Sequence, residues 1–268
     1  KHDAIRSSVD TTTRGDIGAV TSAGRLVRFS PVDLPSVPAN SVQVAAGTKV
    51  EQYLPLAKGE KVVALVPLID SPTIALGTEQ GVVKRVAATE LGTKDEIEII
   101  SLRDGDRVVG AAPAGDNAEL VFVASDAQLL RFEASSVRPQ GRSAGGMAGI
   151  RLSDGARVID FAVVGASAFD AVVVTIAGSS AALPGTDAGS AKVSAFTEFP
   201  AKGRATGGVR AQRLLRGEDG LVLAWVGTDP RAVGPDGSVR ALPDVGAKRD
   251  ASGQPLDAVV GAIGTVVR

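Results

Sequence analysis

The chain alternates short apolar runs with short runs of glycine and polar residues over its whole length. The apolar runs are rich in Val, Leu, Ile and Thr and are bounded by Gly, Asp, Ser and Pro, a pattern typical of half-buried β-strands. Helical spacing of apolar residues is nearly absent, and only residues 86–91 have room for one turn of helix. The pattern therefore predicts an all-β protein.

A hairpin motif recurs five times along the chain. Each copy has an apolar run, a turn of small or polar residues and a second apolar run, and in the first three copies an arginine lies near the end of the second run. The copies read IGAVTSAGRLVRF, TIALGTEQGVVKRV, VFVASDAQLLRF, VVVTIAGSSAAL and AVGPDGSVRAL, and their turns are marked by Gly24, Gly81, Ala127, Gly178 and Gly237. The turns lie 46 to 59 residues apart, which suits a unit of about four short strands, the size of a propeller blade.

A single predicted strand follows each hairpin, in the runs GEKVVALVPL, GDRVVGAAPA, GARVIDFAVV, EDGLVLAWVG and LDAVVGAIGT. A lone blade cannot bury both of its faces, so neighbouring blades must stack, and a ring closes the stack without long exposed strand edges. We predict one domain over residues 1–268, a propeller-like disc of five four-stranded repeat blades at approximately residues 15–70, 71–115, 117–166, 168–228 and 229–268. The alternative architecture is a pair of β-sandwiches joined near residues 113–117, although sandwiches do not require this repeat.

The composition excludes several classes of protein. The chain has 268 residues, of which 44% are apolar, enough to fill a sizeable core. Cysteine is absent, which excludes disulfides and thiolate metal sites, and the single histidine, His2, leaves histidine-dependent catalytic or metal sites without their central group. No apolar run approaches the roughly 18 residues of a membrane span, and residues 1–10 are too polar for a signal peptide. We expect a cytoplasmic protein.

No motif of an enzyme is present in the sequence. The glycine-rich runs lie among strands without a following helix, which does not fit a nucleotide-binding loop. Close carboxylates are limited to two groups that we interpret as turn residues, Asp104 with Asp106, and Asp95 with Glu96 and Glu98. A hydrolase built on a propeller would need convergent carboxylates in a central pocket. We expect no catalytic residue, cofactor, metal or small-molecule substrate in this domain.

The most specific motif is shared by two units. Residues 141–152 read GRSAGGMAGIRL and residues 203–214 read GRATGGVRAQRL, a common G-R-x-x-G-G-x-x-x-x-R-L. The net charge of the chain is −1, so a site for a polyanion must be a local patch. Two segments free of acidic residues surround the motifs, and they contain Arg138, Arg142 and Arg151 in the first and Lys202, Arg204, Arg210, Arg213 and Arg216 in the second.

Glycines beside an arginine let the backbone approach a phosphate while amide groups and the guanidinium donate hydrogen bonds. The other interpretation is that the glycines serve a tight crossing between blades and that the arginines are only solvated. The pairs Gly145–Gly146 and Gly207–Gly208 fit both interpretations. Arg142 and Arg204 occupy the same place in two units, which favours a role in binding a ligand.

A second set of basic residues lies at the ends of the predicted hairpins. Arg28, Arg85 and Arg131 fall at equivalent positions in three units, with Lys84 beside Arg85. We expect these four side chains to project around the circumference of the ring and to form a track for the phosphates of a curved duplex. Aromatic residues make up 3% of the chain, which argues against single-stranded nucleic acid because that ligand is held by base stacking. A protein-interaction propeller is the alternative function.

These motifs resemble the C-terminal domain of the A subunit of bacterial type IIA topoisomerases, DNA gyrase and topoisomerase IV. The resemblance is carried by the hairpins TSAGRLVRF and TEQGVVKRV and by the segments VRPQGRSAGGMAGIRL and FPAKGRATGGVRAQRL. It implies a β-pinwheel whose blades exchange strands and whose basic rim bends duplex DNA. It also implies that the partners are the ATPase B subunit and the catalytic core of the same polypeptide, with the protein associated with the nucleoid. The DNA-cleaving tyrosine and ATP binding belong to those partners.

One departure from the gyrase pattern affects the expected activity. Gyrase carries a Q-R-R-G-G-K-G box in its first unit, whereas the corresponding region here, residues 31–53, contains AAGTKVEQY and no such run. Its proline-rich part, residues 31–48, is predicted to be a surface loop, in part mobile. We therefore expect a topoisomerase IV-like domain that guides duplex DNA, with a gyrase wrapping domain whose box has degenerated as the alternative. The residues expected to bind DNA are Arg28, Lys84, Arg85, Arg131, Arg138, Arg142, Lys202, Arg204, Arg210 and Arg213.

Overall fold

The computed structural model describes residues 4–38, 40, 47–69 and 73–266, and in these ranges the chain is built from short strands. The strands in chain order are β1 (Ala4–Ile5), β2 (Ile17–Thr21), β3 (Arg25–Phe29), β4 (Val62–Pro67), β5 (Ile74–Thr78), β6 (Val82–Val86), β7 (Glu96–Glu98), β8 (Val108–Pro113), β9 (Glu119–Ala124), β10 (Gln128–Glu133), β11 (Pro139–Gln140), β12 (Met147–Ala148), β13 (Val158–Val164), β14 (Val172–Gly178), β15 (Ser190–Ala195), β16 (Val209–Arg210), β17 (Gly220–Gly227), β18 (Pro230–Val233), β19 (Val239–Arg240), β20 (Gln254–Pro255) and β21 (Ala262–Val266). Helical structure in the described residues is limited to single 3-10 turns at Pro31–Asp33, Val50–Gln52, Ala88–Glu90, Ala134–Ser136 and Phe196–Glu198. The predicted all-β class is confirmed.

The described strands form five sheets, which are the blades of a propeller. From the centre outwards, the first four blades have the orders β4-β2-β3-β7, β8-β5-β6 with β11 and β12 both beside β6, β13-β9-β10-β16 and β17-β14-β15-β20. The outermost strand of each of these blades belongs to the following unit of the sequence. The fifth blade, β1-β21-β18-β19, has β1 beside its inner strand. This exchange protects the outer strand edges, and it confirms the pinwheel that the resemblance implies.

The hairpin turns explain why the repeat is visible in the sequence. In the first three hairpins the third turn residue has a positive φ: 77° at Gly24, 88° at Gly81 and 64° at Ala127. Its N–H donates to the carbonyl of the last residue of the preceding strand, for example from Gly24 to Thr21 at 3.1 Å. A three-residue turn that ends in this conformation joins two antiparallel strands without splaying them.

The fourth hairpin differs from the prediction. The sequence pattern assigns its turn to Gly178, but β14 continues through this residue, and residues 179–189 form a long loop before β15. The residue that corresponds to the other turn glycines is Gly189, with a φ of 70°. The apparent second run, AAL, therefore lies in the loop, and the true second strand contains Lys192.

Packing between successive blades forms the core. The middle strands β2, β5 and β14 are buried along their whole length. Neighbouring blades cover both faces of β5 and β14 and one face of β2. Separate apolar clusters lie between the first and second, second and third, third and fourth, and fourth and fifth blades. In the second of these, the rings of Phe122 and Phe161 lie 5.0 Å apart.

The seam between the fifth and first blades is built differently. The face of the first blade that is turned away from the second blade is covered by the first blade's own loop, which contributes Val50, Leu54 and Leu56. The N-terminal segment crosses the seam: Ile5 pairs with Thr265 of the fifth blade. Ser7 Oγ then accepts a hydrogen bond from the N–H of Leu65 in the first blade at 2.9 Å. In the described residues, the ring is therefore held at this point by a short strand and polar contacts.

The inner strands line a central channel of about 470 Å³. Arg6 and Asp160 are the charged residues among the described side chains that line it. Burial raises the pKa of Asp160 from 3.8 to about 7, against the opposing effect of Arg6. Between these two pH values the folded chain binds more protons at Asp160 than the unfolded chain, so folding stability falls as the pH rises.

We expect Asp160→Asn to remove this pH dependence. The free energy of unfolding of the wild-type chain should fall by about 1–2 kcal/mol more than that of the variant between about pH 5 and pH 8, after allowance for water in the channel. Urea denaturation of both chains at the two pH values measures the difference. If the two chains lose stability in parallel, the carboxyl is hydrated as in an unfolded chain and the assignment is wrong.

Candidate nucleic-acid interface

Four crossing segments carry the outermost strands from one blade to the next. We define them as residues 92–102, 141–152, 203–214 and 248–256, which contain β7, β12, β16 and β20. Equivalent positions follow from the strand register, because Ile97, Met147, Val209 and Gln254 each face the second residue after the turn of the preceding hairpin. The crossing segments lie at the end of each sheet that is farthest from the channel and form the rim of the disc.

The glycine pairs of the shared motif allow the crossing segments to approach the blade. Gly146 and Gly208 have φ values of 85° and 78°, a conformation that favours glycine. A Cβ atom on Gly208 would lie 2.3 Å from the carbonyl oxygen of Leu129, and one on Gly146 would lie 2.8 Å from that of Val83. The second glycine of each pair is therefore explained by the close crossing, as one of the two interpretations predicts.

The register reveals a third rim arginine that the sequence motif did not. Counting back five residues from Met147, Val209 and Gln254 leads to Arg142, Arg204 and Arg249 in three successive crossing segments. The last segment reads KRDASGQ instead of GRATGGV, so only the second glycine, Gly253, is kept. The sequence feature that could have revealed Arg249 is the basic pair Lys248–Arg249, which is followed by a glycine four residues after Arg249.

Neighbouring crossing segments are joined by equivalent hydrogen bonds. Amide groups donate from Ser101 to the carbonyl of Ala144 at 3.3 Å, from Arg151 to Thr206 at 2.9 Å and from Arg213 to Ala251 at 3.0 Å. The arginine side chains add a second contact between segments: Arg204 Nη1 donates to the carbonyl of Ala148 at 2.7 Å, and Arg249 Nη1 donates to that of Arg210 at 3.4 Å. The basic segments thus form one continuous band along the rim.

The charge of this band changes along its length. Residues 134–152 and 199–217, which contain the second and third crossing segments, expose only basic charged groups, at Arg138, Arg142, Arg151, Lys202, Arg210, Arg213 and Arg216, with Arg204 half-buried. The first segment and its flank expose Glu90, Asp95, Glu96 and Glu98 beside Lys94, and only Glu96 among these carboxylates is bound by a guanidinium, that of Arg25 at 2.6 Å. The fourth segment contains charged residues of both signs, Lys248, Arg249 and Asp250. A polyanion is attracted by the middle of the band and repelled at its start.

The strand-end residues Lys84 and Arg85 do not project from the ring, and the expectation that they would is wrong. Their relative exposures are 0% and 3%. The Arg85 guanidinium donates to the carbonyls of Ala134 at 3.0 Å and Val137 at 2.9 Å and pairs with Asp116 at 2.7 Å. It therefore fixes the second blade to the 3-10 turn of the third unit.

The other two strand-end arginines are also used mainly inside the fold. The side chain of Arg28 is 17% exposed, pairs with Asp16 at 3.2 Å and donates to the carbonyl of Gly92 at 2.7 Å. The side chain of Arg131 is 19% exposed and pairs with Glu119 at 3.5 Å. Its guanidinium lies 4.3 Å from the centre of the Phe196 ring, within the 3-10 turn of the next unit. The predicted circumferential track is therefore a row of contacts between units.

The comparison with known proteins follows the same repeat. A family model described as DNA gyrase C-terminal domain, beta-propeller, matches residues 19–68, 72–114, 118–165 and 185–223, more than half of the chain. The chain belongs to this family. The four matched stretches begin inside or close to the first four hairpins, so the repeat seen in the sequence is the repeat of the gyrase C-terminal domain family.

Relatives and solved structures agree with this assignment. The chain is 28% identical over 235 residues to the DNA gyrase A subunit of Escherichia coli (strain K12), with 85% of this chain and 25% of the relative covered. It is 28% identical over 216 residues to the DNA gyrase A subunit of Mycobacterium bovis (strain BCG / Pasteur 1173P2), with 78% and 24% covered. The chain thus spans about a quarter of the curated relatives that it matches.

Two solved structures of C-terminal domains share the fold. The C-terminal domain of DNA topoisomerase IV superposes with a TM-score of 0.74 and 18% identity, covering 94% of this chain and 79% of that chain. The Escherichia coli ParC C-terminal domain gives a TM-score of 0.62 and 14% identity, covering 93% and 97%. At these identities the likeness concerns the fold of the family.

Residues 39 and 41–46, within the region that corresponds to the gyrase box and within the predicted proline-rich loop, lie outside the described residues. Among the described residues, no helix is long and apolar enough to cross a membrane, and no group of three or more acidic or histidine side chains is placed to hold a metal ion.

Proposed function

We propose that this domain binds duplex DNA along the basic part of its rim and bends it, presenting the duplex to a separate catalytic core for strand passage. The observation that carries the proposal is the continuous band of second, third and fourth crossing segments, with equivalent arginines at Arg142, Arg204 and Arg249. Since these residues lie on successive blades of a disc, a duplex that contacts all three must follow its curvature.

The proposed contact set differs in part from the set that the sequence predicts. It keeps Arg138, Arg142, Lys202, Arg204, Arg210 and Arg213, adds Arg151, Arg216, Lys248 and Arg249, and leaves out Arg28, Lys84, Arg85 and Arg131, which serve the fold. These groups reach phosphates and do not read bases, so the affinity should depend strongly on salt and weakly on sequence.

We infer that the parent protein is the A subunit of an ATP-dependent type IIA topoisomerase in the bacterial nucleoid. Its partners would then be the ATPase B subunit and the catalytic core of the same polypeptide. The five blades and the missing box support a topoisomerase IV-like role, whereas the curated relatives are named as A subunits of DNA gyrase. The acidic start of the band supports a shorter DNA path than a full turn around the disc.

Two measurements of the protein with duplex DNA test this proposal. Titration with a duplex of about 40 base pairs at several salt concentrations should give a log–log slope of about −3 to −6. Ligation of a nicked plasmid over the protein, followed by deproteinisation, should give a small change in linking number for the topoisomerase IV-like role and a large one for gyrase-type wrapping. Absence of salt-sensitive binding would remove the proposal and favour a protein-interaction propeller.

A further inference from the structure

Two buried lysines occupy the same place in two blades. Lys84 and Lys192 are each the third residue after the turn glycine of their hairpin, Gly81 and Gly189. Their relative exposures are 0% and 2%. Burial lowers the pKa of each to about 8, so both remain mainly charged at pH 7. A buried ammonium group is costly unless hydrogen bonds replace its water.

Both lysines direct their hydrogen bonds to the backbone of a rim loop. Lys84 Nζ donates to the carbonyls of Arg142 at 2.8 Å and Ala144 at 2.7 Å. It also donates to the carbonyl of Ile99, in the preceding crossing segment, at 2.8 Å. The ammonium group of Lys84 therefore uses its three donors to join two crossing segments.

Lys192 makes the corresponding contact in the fourth blade. Its Nζ donates to the carbonyls of Lys248 at 3.0 Å and of Arg249. Arg249 is the equivalent of Arg142, so in both blades the buried lysine holds the carbonyl of the rim arginine itself. An apolar side chain of similar length would fill the same space without fixing this carbonyl.

The third blade shows how the fold manages without the lysine. Its equivalent residue is Leu130, the third after Ala127. There the N–H of Lys202 donates to the carbonyl of Arg131 at 3.0 Å, and Arg204 contacts Ala148 through its own guanidinium. The lysine is thus present in the two blades where the rim arginine has no side-chain hydrogen bond or only a long one, since Arg249 lies 3.4 Å from its acceptor.

We propose that Lys84 and Lys192 are positioning residues that fix the backbone of Arg142 and Arg249, so that each guanidinium is presented to a DNA phosphate. The inference rests on the proposed function. A loop already held in its bound conformation loses less conformational entropy on binding. The lysines therefore act on DNA affinity without touching DNA.

A double-mutant cycle between Lys84→Met and Arg142→Ala tests this inference. Each single variant should weaken binding of a duplex of about 40 base pairs by roughly 3- to 10-fold and reduce the salt slope by about 1. The double variant should bind no more weakly than the weaker single variant, because both changes remove the same contact. Thermal unfolding followed by circular dichroism shows that each variant is folded at the temperature of the titration.

Two controls separate positioning from a general loss of structure. Leu130→Met, at the equivalent place in the third blade, should leave the affinity within about twofold of wild type. Lys84→Met combined with Arg249→Ala should be additive, since Lys84 contacts neither the crossing segment of Arg249 nor the segment that the Arg249 guanidinium contacts. If Lys84→Met does not fold, Lys192→Met with Arg249→Ala decides the question by the same criteria.

The outcomes distinguish this inference from the proposed function. If wild type shows no salt-sensitive binding, the proposed function fails. If wild type binds and Arg142→Ala weakens binding, but folded Lys84→Met binds as wild type does, only the positioning role is overturned. Additive losses in the Lys84 and Arg142 double variant would overturn it as well.

Discussion

Replacing Arg142, Arg204 and Arg249 together by glutamate is expected to lower the affinity for a duplex of about 40 base pairs by at least about 100-fold at moderate salt. The three side chains lie at the same position of successive crossing segments. On the proposed DNA path, the substitution removes one phosphate contact per blade and places a repelling carboxylate there. The salt slope should become shallower by about 3, one for each lost contact. Titration of a labelled duplex over a salt series measures both quantities.

A matched variant separates a local site from a general effect of charge. Lys58, Lys61 and Lys94 are exposed and lie on the first blade and on the acidic crossing segment. Changing these three residues to glutamate alters the net charge by the same amount, and the affinity should fall by less than about fivefold. Equal losses in the two triple variants would show that only net charge matters, and an unchanged affinity in the rim variant would show that DNA follows another surface.

The repeat and the blade count could be predicted because they depend on local chemistry. A three-residue turn with a positive φ needs glycine or a small residue, and the middle strands need apolar residues on both faces, so Gly24, Gly81 and Ala127 mark their hairpins in the sequence. The turn of the fourth hairpin was predicted at the wrong residue because its loop, residues 179–189, is long and begins next to a glycine that still belongs to β14. Gly178 was therefore taken for the turn residue, although it is the last residue of the strand.

The exposure of the basic residues could not be predicted in the same way. A strand-end lysine or arginine is normally exposed, but strand exchange adds a further segment outside β6 that covers Lys84 and Arg85. Which segment crosses to which blade is a property of the whole ring. Arg249 was missed for a related reason, because its crossing segment keeps the register of the motif while losing most of its glycines.

Burial of strand-end basic residues and exposure of crossing-segment basic residues have one common cause. The carbonyl groups of the crossing segments need donors on the side that faces the blade, and Lys84 and Lys192 supply them. Arg85 supplies donors in the same way to the 3-10 turn that precedes the second crossing segment. The opposite side of the same segments is free to carry arginines toward solvent. The net charge of −1 thus conceals two layers of basic groups, an inner layer that holds the rim and an outer layer that is available to a polyanion.

Arg85→Met is expected to be strongly destabilising. Methionine can occupy the volume of the apolar stem, but the carbonyls of Ala134 and Val137 lose their donors and Asp116 loses its partner. Buried acceptors without partners cost about 1–3 kcal/mol each. We expect the free energy of unfolding to fall by about 3 kcal/mol and the Tm to fall by about 6–10 °C.

Chemical and thermal denaturation measure this loss, with Arg157→Met as the control. Arg157 is exposed, and its replacement should change the free energy of unfolding by less than about 0.5 kcal/mol. Folded Arg85→Met should retain the salt slope of wild type, because its guanidinium is directed into the junction between the second and third units and cannot reach a phosphate. A reduced slope together with unchanged stability would instead place Arg85 on the DNA path and reverse its assignment to the fold.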